Sequence, residues 1–441
     1  MSEMFFTQRQ THPIKWQKWL AISLATLWLA SCQNLTLGPA APTAATPGQP
    51  GCPVKIGVIT SLSGDFAEQA QELVRGYEMA LDDLNAAGGI TGCQVELVTK
   101  DDASDPQTAT AQFKELAQQD QVPLIVGSFS SDATLPLVPL ATRYQVPLLA
   151  HNAGSVLVTS LGSEWVFRTT IQSEAAVTAL LDYVLTLLPS DPTPSLAIVY
   201  ENNVFGQAAA RPVTSHAKDV GISLVAAEAF VPGSPDFKPL LKRVQAAEPD
   251  VIFLSGNQQS DALLLMQQSR ELDLNPQAYM SNGGAFTSLQ FFQSPYSNYL
   301  IVSVPWVPSV NWQDANGLTT QSFIQRFQAR YGSPPGSRSV NAYVNIFLAA
   351  QALELAAQNE PLSGTDIAGV RLAVRNALRG LDLPETLFGP VRFDETGQND
   401  HPPLLVQVVQ GQLTVVSPTE QSTGEVIFPV PPWSQRAIDQ E

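Results

Sequence analysis

Three serines, Ser128, Ser130 and Ser131, stand directly after an apolar segment at residues 122–126 and before a helical stretch at residues 132–144. Ligands of open α/β sheets bind beyond the carboxyl ends of the strands, where helix N-termini point inward. Serine hydroxyls together with free N–H groups at a helix start suit a carboxylate or another acceptor group. We expect Ser131, and also Ser130, to contact such a ligand; the alternative is that these serines only cap the helix.

Two further loops place polar groups after apolar segments. Asn152, Gly154 and Ser155 follow a segment that ends at residue 150, and Asn257 and Gln258 follow a segment that ends at residue 255. Their amide, hydroxyl and backbone groups donate and accept hydrogen bonds, so we expect these residues to contact the ligand. The alternative for each of them is an ordinary polar loop.

The sequence gives only weak indications of acid–base, metal or catalytic chemistry. His151 is a lone histidine, which is more often a hydrogen-bonded structural residue than a ligand or an acid–base group. Asp101, Asp102 and Asp105 place three acids within five residues, but Asp105 precedes a proline as a helix N-cap does, so we expect no metal site and no cofactor. The sequence has no Gly-x-Ser-x-Gly, His-Glu-x-x-His or phosphate-loop motif. We therefore expect a binding protein without catalytic residues rather than an enzyme.

The scaffold for these residues is predicted to alternate strands and helices. Short apolar segments bounded by turn residues indicate strands, and residues 68–87 carry apolar side chains at helical spacing. We predict strands at residues 54–59, 95–100, 122–126, 146–150, 196–200, 223–226, 251–255, 278–280 and 300–304. From about residue 318 the chain turns mainly helical, and it closes with short strands. This alternation predicts an α/β fold with two doubly wound parallel-sheet lobes.

Composition and charge exclude several function classes. The 441-residue chain has 23 Lys and Arg against 40 Asp and Glu, a net charge of −17. This charge argues against a nucleic-acid partner, which needs clustered basic residues. After residue 31 no uninterrupted apolar run approaches the roughly 20 residues that span a bilayer, which excludes a channel or permease.

The N-terminus predicts export. Arg9, Lys15 and Lys18 precede a short apolar run at residues 19–30, as in a signal peptide. The run is followed by Ser31 and Cys32 in a pattern that resembles a bacterial lipobox, so we predict a lipoprotein signal peptide at residues 1–31 and lipidation of Cys32. The alternative is a membrane anchor with an incidental cysteine. Residues 32–51 are uncharged and rich in Pro, Ala, Thr and Gly, which predicts a flexible tether.

The other two cysteines, Cys52 and Cys93, each stand just before a predicted strand. If those strands are neighbours in a parallel sheet, their starts lie side by side, and an exported protein is permitted a disulfide. We predict a Cys52–Cys93 bond. The alternative is two free thiols, and no Cys-x-x-Cys motif indicates a catalytic dithiol.

Seven segments resemble, in order, the branched-chain amino-acid-binding proteins of ABC importers, which are type I periplasmic binding proteins. They include IGVITSLSGDFA at residues 56–67, VGSFSSDAT at residues 126–134 and GPVRFDETG at residues 389–397. The resemblance spans about residues 54–416. It implies two α/β lobes joined by three crossings, with the ligand held in the cleft and closed over by hinge motion.

The resemblance also implies how the chain divides. We expect an N-terminal lobe of residues 52–170 plus about 305–388. The C-terminal lobe is then about 171–304 plus 389–441. The crossings are expected near residues 169–172, 304–307 and 387–390.

Single positions carry roles implied by the resemblance. The position of Ser131 holds the ligand's carboxylate in the family, and Gly154 stands where the family usually has a threonine. Phe205 stands at a position that is typically tyrosine, so an aromatic wall remains without its hydroxyl. Gly283 stands where the family commonly carries the carboxylate that pairs with the ligand's ammonium group.

The glycine at position 283 bears on the class of ligand. Burying an ammonium group without a partner charge costs several kcal/mol. The missing carboxylate therefore disfavours an α-amino acid, unless Asp132 or Asp261 substitutes for it. Uncharged donors and acceptors suit an amide, a urea-like solute, a carboxylate or an uncharged metabolite.

We therefore expect a monomeric solute-binding lipoprotein of an ABC importer. It would capture a small polar metabolite, an amino acid or a related amide or carboxylate, and deliver it to a membrane permease. The lipid anchor would hold it on a bacterial membrane, facing the periplasm or the cell exterior. The alternative is an extracytoplasmic ligand sensor of the same fold that reports to a receptor or regulator.

Overall fold

The computed structural model describes residues 52–190, 192–362 and 366–436. The predicted signal peptide, the lipidation site Cys32 and the predicted tether lie outside the described residues. They stay predictions from the sequence.

The first lobe is built on a five-stranded parallel sheet. Its strands are β1 (Val54–Thr60), β2 (Val95–Asp101), β3 (Ile125–Val126), β4 (Leu148–Ala150) and β5 (Val166–Arg168). Their order in the sheet is β2-β1-β3-β4-β5. Nearly every side chain of β1 is buried, which requires cover on both faces of the sheet.

The register of β1 and β2 brings two cysteines together. Val54 lies opposite Val95, and the preceding residues Cys52 and Cys93 form a disulfide with Cα atoms 5.2 Å apart. The two cysteines are 41 residues apart in the chain. Restricting the unfolded chain over a loop of this length stabilises the fold by about 2–4 kcal/mol.

The helices of this sheet are α1 (Ala67–Ala86), α2 (Pro106–Gln118), α3 (Ser131–Thr134), α4 (Leu137–Tyr144) and α5 (Leu157–Ser160). α2 begins where the sequence predicts, because the Asp105 side chain accepts a hydrogen bond from the Thr108 N–H. The single helix predicted at residues 132–144 is instead two helices, α3 and α4. Pro136 and Pro139 lack the N–H groups that would bond the carbonyls four residues earlier.

The second lobe is built on five parallel strands and the helices between them. The strands are β6 (Ser195–Glu201), β7 (Ser223–Phe230), β8 (Val251–Ser255), β9 (Ala278–Ser281) and β10 (Ile301–Val304). The helices are α6 (Ser173–Leu185), α7 (Val204–Asp219), α8 (Lys238–Ala246), α9 (Gln259–Glu271) and α10 (Leu289–Phe292). β8 and β9 are buried along their whole length, so this sheet is also covered on both faces.

The chain then returns to the first lobe. It forms α11 (Thr320–Tyr331), α12 (Ser337–Ala357), α13 (Ile367–Arg379) and a small hairpin of β11 (Asp382–Leu383) and β12 (Val391–Arg392). α12 packs against α1 and α13. α12 is long and apolar enough to span a bilayer, but 72% of its apolar stretch is buried in the fold. It is therefore the core helix of the first lobe.

Two antiparallel strands complete the second sheet. They are β13 (Leu404–Val409) and β14 (Gln412–Ser417). β13 pairs with β10, which gives the order β14-β13-β10-β9-β8-β6-β7. The structure thus has the two α/β lobes that the alternation of strands and helices predicts, each with its own sheet.

The third crossing lies later in the chain than expected. The Arg168 N–H donates to the Gly397 carbonyl, and the Asn399 N–H donates to the Arg168 carbonyl, while Phe393 packs edge-on against Phe167. Assigning residues 389–399 to the C-terminal lobe is therefore wrong, and the chain crosses near residues 400–403. Very short strands do not reveal in the sequence which sheet they join, because contacts distant in sequence decide it.

Candidate ligand-binding site

A cavity of about 80 Å³ lies between the two lobes. The loops that follow β3 and β4 meet there with the loops that follow β6, β8 and β9. Seven of the nine residues predicted to bind ligand line it: Ser130, Ser131, Asn152, Gly154, Phe205, Asn257 and Gly283. The volume limits an enclosed ligand to a small molecule.

Ser130 and Ser131 present hydroxyl groups to this cavity. The Ser130 Oγ accepts a hydrogen bond from the Ala133 N–H at 3.1 Å, and the Ser131 Oγ accepts one from the Ser155 N–H at 3.2 Å. Across residues 52–190, 192–362 and 366–436, neither hydroxyl donates to a protein acceptor. Each hydroxyl can therefore cap a backbone N–H and still donate to a ligand oxygen.

The acids at the end of β2 fix the loops around the serines. The Asp102 carboxylate accepts hydrogen bonds from the Ser61 and Ser128 hydroxyls and from the Ser104 N–H. Asp101 binds backbone N–H groups of the loop after β1. Asp102 therefore positions the chain just before Ser130 and Ser131, and Asp101 positions the loop after β1.

Ser155 and His151 do not line the cavity. The Ser155 N–H bonds the Ser131 hydroxyl, so Ser155 positions a cavity residue instead of facing the cavity itself. His151 is buried, and its Nε2 pairs with the Tyr77 hydroxyl. Burial lowers the pKa of His151 to about 3, so the ring is neutral over the physiological range and has a structural role.

Gly154 leaves room for two neighbours. A Cβ on Gly154 would lie 2.8 Å from the Ser173 Oγ and 3.5 Å from the Phe205 ring. Ser173 also lines the cavity, so α6 supplies a hydroxyl close to where a side chain at position 154 would begin. Sequence reasoning missed Ser173, because it follows a crossing segment and belongs to no polar loop after a strand.

The lobes are closed onto one another. Gln258 does not line the cavity but bridges the lobes at its rim, with its Nε2 3.2 Å from the Asp65 Oδ2. Further hydrogen bonds across the cleft are Gln69 Nε2 to Asn257 O at 2.9 Å, Val204 N to Asp132 Oδ1 at 3.2 Å, and an Arg338 guanidinium nitrogen to Gly284 O at 2.7 Å.

Asn282 and Ser303 present unpartnered polar atoms to the cavity. Asn282 is 7% exposed, and neither its amide nitrogen nor its amide oxygen has a hydrogen-bond partner among the described residues. The Ser303 hydroxyl is unpartnered in the same part of the chain, and both residues line the cavity. An unpaired buried polar group costs about 1–3 kcal/mol, which a polar ligand would relieve.

Arg338 brings a positive charge to the cavity. It is the second residue of α12, is 8% exposed and lines the cavity. Its guanidinium donates to the Gly284 carbonyl and, at 3.5 Å, to the Glu72 Oε1. Burial raises the pKa of Glu72, and Arg338 acts against that shift. Sequence reasoning missed Arg338, since an arginine at the start of an apolar helix forms no motif.

A sequence profile of the periplasmic binding protein family matches residues 53–412. The chain belongs to this family. It is 28% identical over 398 residues to the Leu/Ile/Val-binding protein homolog 8 of Brucella abortus (strain 2308), covering 85% of this chain and 93% of the relative. The predicted family and fold class are confirmed.

Two solved structures illustrate the fold. The isoleucine complex of the branched-chain amino acid transporter substrate-binding protein LivJ from Streptococcus pneumoniae has a TM-score of 0.70 at 24% identity, covering 83% of this chain and 99% of that one. A solute-binding protein from R. palustris in complex with benzoate has a TM-score of 0.70 at 18% identity, covering 82% and 95%.

In this periplasmic binding protein an amide stands beside the position where the resemblance implies a carboxylate. Gly283 has a φ of +130°, which side-chain-bearing residues rarely adopt, although a Cβ there would meet nothing within 4 Å. The adjacent Asn282 carries the side chain that lines the cavity. The second-lobe wall therefore offers a neutral amide at this place.

Asp132 and Asp261 do not replace the missing carboxylate. The Asp132 carboxylate accepts the Val204 N–H, and the Asp261 carboxylate accepts the Gly233 N–H at 2.9 Å. Among the described residues, no Asp or Glu side chain lines the cavity of this periplasmic binding protein.

Glu201 lies behind the cavity wall and is 1% exposed. Its Oε2 accepts the Asn257 N–H at 2.6 Å. Burial raises the pKa of Glu201 to about 7, and the Asn257 hydrogen bond acts against that shift. The folded protein therefore holds this proton at pH values where the unfolded chain has released it.

Glu201→Gln is expected to remove part of the pH dependence of stability. Between pH 4.5 and 7 the folded state binds more protons at Glu201 than the unfolded state, so stability falls as pH rises, by roughly 3 kcal/mol in total. Denaturant unfolding at pH 5 and pH 8 should show a smaller fall in the variant than in the wild type. Glu248→Gln, at an exposed residue, is the control; an unchanged fall in Glu201→Gln contradicts this assignment.

Proposed function

We propose that this protein captures a small polar metabolite in the cleft and delivers it to an ABC permease. The observation that carries the proposal is the closed cavity. It brings hydroxyl donors from the first lobe opposite the unpartnered polar atoms of Asn282 and Ser303 on the second lobe. Periplasmic binding proteins form a solute-binding family rather than an enzyme family, which supports the same conclusion.

Both lobes contribute residues to the cavity, and the proposed mode of binding follows from this. Ser130, Ser131, Asn152 and Gly154 belong to the first lobe, whereas Phe205, Asn257 and Gly283 belong to the second. Every ligand that contacts both walls binds the closed form better than the open form, so it shifts the equilibrium toward closure. A permease that recognises the closed lobes then distinguishes loaded from empty protein.

The ligands of the neighbouring structures guide the choice of compounds. Isoleucine in the protein from S. pneumoniae and benzoate in the protein from R. palustris both carry a carboxylate, but only isoleucine carries an ammonium group. The proposed ligand of this protein is an amino acid or a related amide or carboxylate.

The proposal is tested by thermal-shift screening with amino acids, amides, urea compounds, carboxylates and nucleobases, followed by calorimetry of each hit. A ligand at 100 times its Kd adds about 2.7 kcal/mol of stability. Loss of cellular uptake of that ligand in a deletion strain supports import. Binding with unchanged uptake favours a ligand sensor, and absence of any hit across the panel contradicts the proposal.

We propose, from the sequence, that Cys32 carries the lipid anchor. Multiple acyl chains hold a protein at a membrane surface without spanning it. Cys32→Ser is expected to move the protein from the membrane fraction to the soluble fraction, while ligand binding stays unchanged. The readout is immunoblotting of fractionated cells with metabolic labelling by a fatty acid. Unchanged membrane association without label in either protein favours a plain N-terminal anchor.

A further inference from the structure

We propose that the ligand is an organic carboxylate without an ammonium group, and that Arg338 selects it by charge. This inference rests on the proposed function, because it names the class of solute that the same cavity takes. The position of Ser131 alone indicates neither a role for Arg338 nor a ligand that lacks an ammonium group.

The first step is the charge of the cavity wall. Arg338 is the one charged side chain among the described residues that line the cavity. The acids nearby are already engaged: Glu72 with Arg338, Glu201 with the Asn257 N–H. An ammonium group in this cavity would face a cation and no carboxylate, whereas an anion would face Arg338.

The second step is the donor capacity of Arg338. A guanidinium has five N–H donors, and within the described residues it uses them for the Gly284 carbonyl and for Glu72 at the long distance of 3.5 Å. Its guanidinium carbon also lies 5.9 Å from the centre of the Phe129 ring, which lines the cavity. Donors of Arg338 therefore remain for a ligand carboxylate, which accepts charge-assisted hydrogen bonds.

The third step is the set of neutral groups around it. Ser130 and Ser131 offer hydroxyl hydrogens, and Asn282 and Ser303 offer unpartnered polar atoms. A carboxylate has about four lone-pair sites, so it can satisfy several of these donors together. An amide of the same shape keeps one acceptor oxygen and brings an NH₂ group, which repels N–H donors.

The fourth step is the link between selection and closure. Arg338 belongs to the first lobe, through α12, and its bond to the Gly284 carbonyl reaches the second lobe. A carboxylate that binds Arg338 therefore acts on a side chain that also joins the lobes. Binding of the anion then favours the closed state, and the closed state favours binding of the anion.

The experiment compares matched ligands by calorimetry with the full chain. The pairs are 4-methylpentanoate with leucine, which differ by the ammonium group, and benzoate with benzamide, which differ by the charge. We expect the wild type to bind the carboxylate at least about tenfold more tightly than its partner in a pair. Arg338→Gln should reduce that ratio to about threefold or less, while Arg330→Gln on α11 leaves it unchanged.

Arg338→Lys keeps the charge, and it replaces Arg338→Gln in the experiment if the glutamine variant does not fold. It should weaken binding but keep the preference for the carboxylate, because lysine retains a positive charge without the planar fork. Tighter binding of leucine or benzamide overturns the inference and leaves solute capture intact. An undiminished carboxylate preference in Arg338→Gln overturns the role of Arg338, and a lack of binding by any compound class counts against the proposed function itself.

Discussion

Asn282→Asp is expected to turn the cavity from carboxylates toward α-amino acids. The amide of Asn282 is buried at the cavity without a partner among the described residues, and aspartate has nearly the same shape. A carboxylate there supplies the partner charge that an ammonium group needs. It also repels an anionic ligand and attracts Arg338.

The measurement is calorimetry with leucine and 4-methylpentanoate. We expect the ratio of the two affinities to shift toward leucine by about 30- to 100-fold, which is roughly 2–3 kcal/mol. Asn359→Asp, at an exposed residue, controls for the added negative charge. An affinity ratio that does not move in Asn282→Asp would show that this side chain does not face the ligand.

Arg168→Met is expected to lower the free energy of unfolding by roughly 3–5 kcal/mol. The Arg168 side chain is fully buried, and it donates to the Gln398 Oε1 at 2.6 Å and to the Ser155 carbonyl at 2.5 Å. It also reaches the Ala153 carbonyl and the Thr159 hydroxyl. Methionine fills part of the space but leaves these acceptors unpaired.

The same substitution is expected to weaken ligand binding by about tenfold or more, roughly 1.4 kcal/mol. Arg168 holds the backbone of Ser155, and the Ser155 N–H holds the Ser131 hydroxyl at the cavity. Through Gln398 it also ties the first crossing, at Thr170, to the segment before the third crossing. Loss of Arg168 therefore loosens both a cavity residue and the hinge.

Arg371→Met is the matched control for Arg168→Met. Arg371 is also buried and donates to backbone carbonyls, those of Val122, Ala117 and Tyr144, and none of these three residues lines the cavity. We expect a comparable loss of stability with unchanged ligand affinity. Equal losses of affinity in both variants would assign the effect to general destabilisation.

The first-lobe wall follows from local signals in the sequence. Ser130, Ser131, Asn152 and Gly154 each stand a few residues after an apolar strand, and parallel strands bring such loops to one edge of a sheet. The disulfide between Cys52 and Cys93 follows from the same argument. Local patterns are sufficient here because strand and loop are adjacent in the chain.

The parts that sequence reasoning missed depend on contacts distant in the chain. Arg338 reaches the cavity only because α12 packs on α1, and Ser173 only because α6 begins beside Gly154. Residues 389–399 join the first sheet through Gly397 and Asn399, and no local sequence pattern indicates this pairing. The interruption between α3 and α4 is a different case, since Pro136 and Pro139 were visible signals for it.

The central claim is that a small solute binds between the serines of the first lobe and Asn282 of the second. The most direct test is calorimetric titration of the strongest hit into the wild type and into a Ser131→Ala/Asn282→Ala double variant. We predict at least about a hundredfold weaker binding in the double variant than in the wild type. Unchanged affinity would contradict the claim.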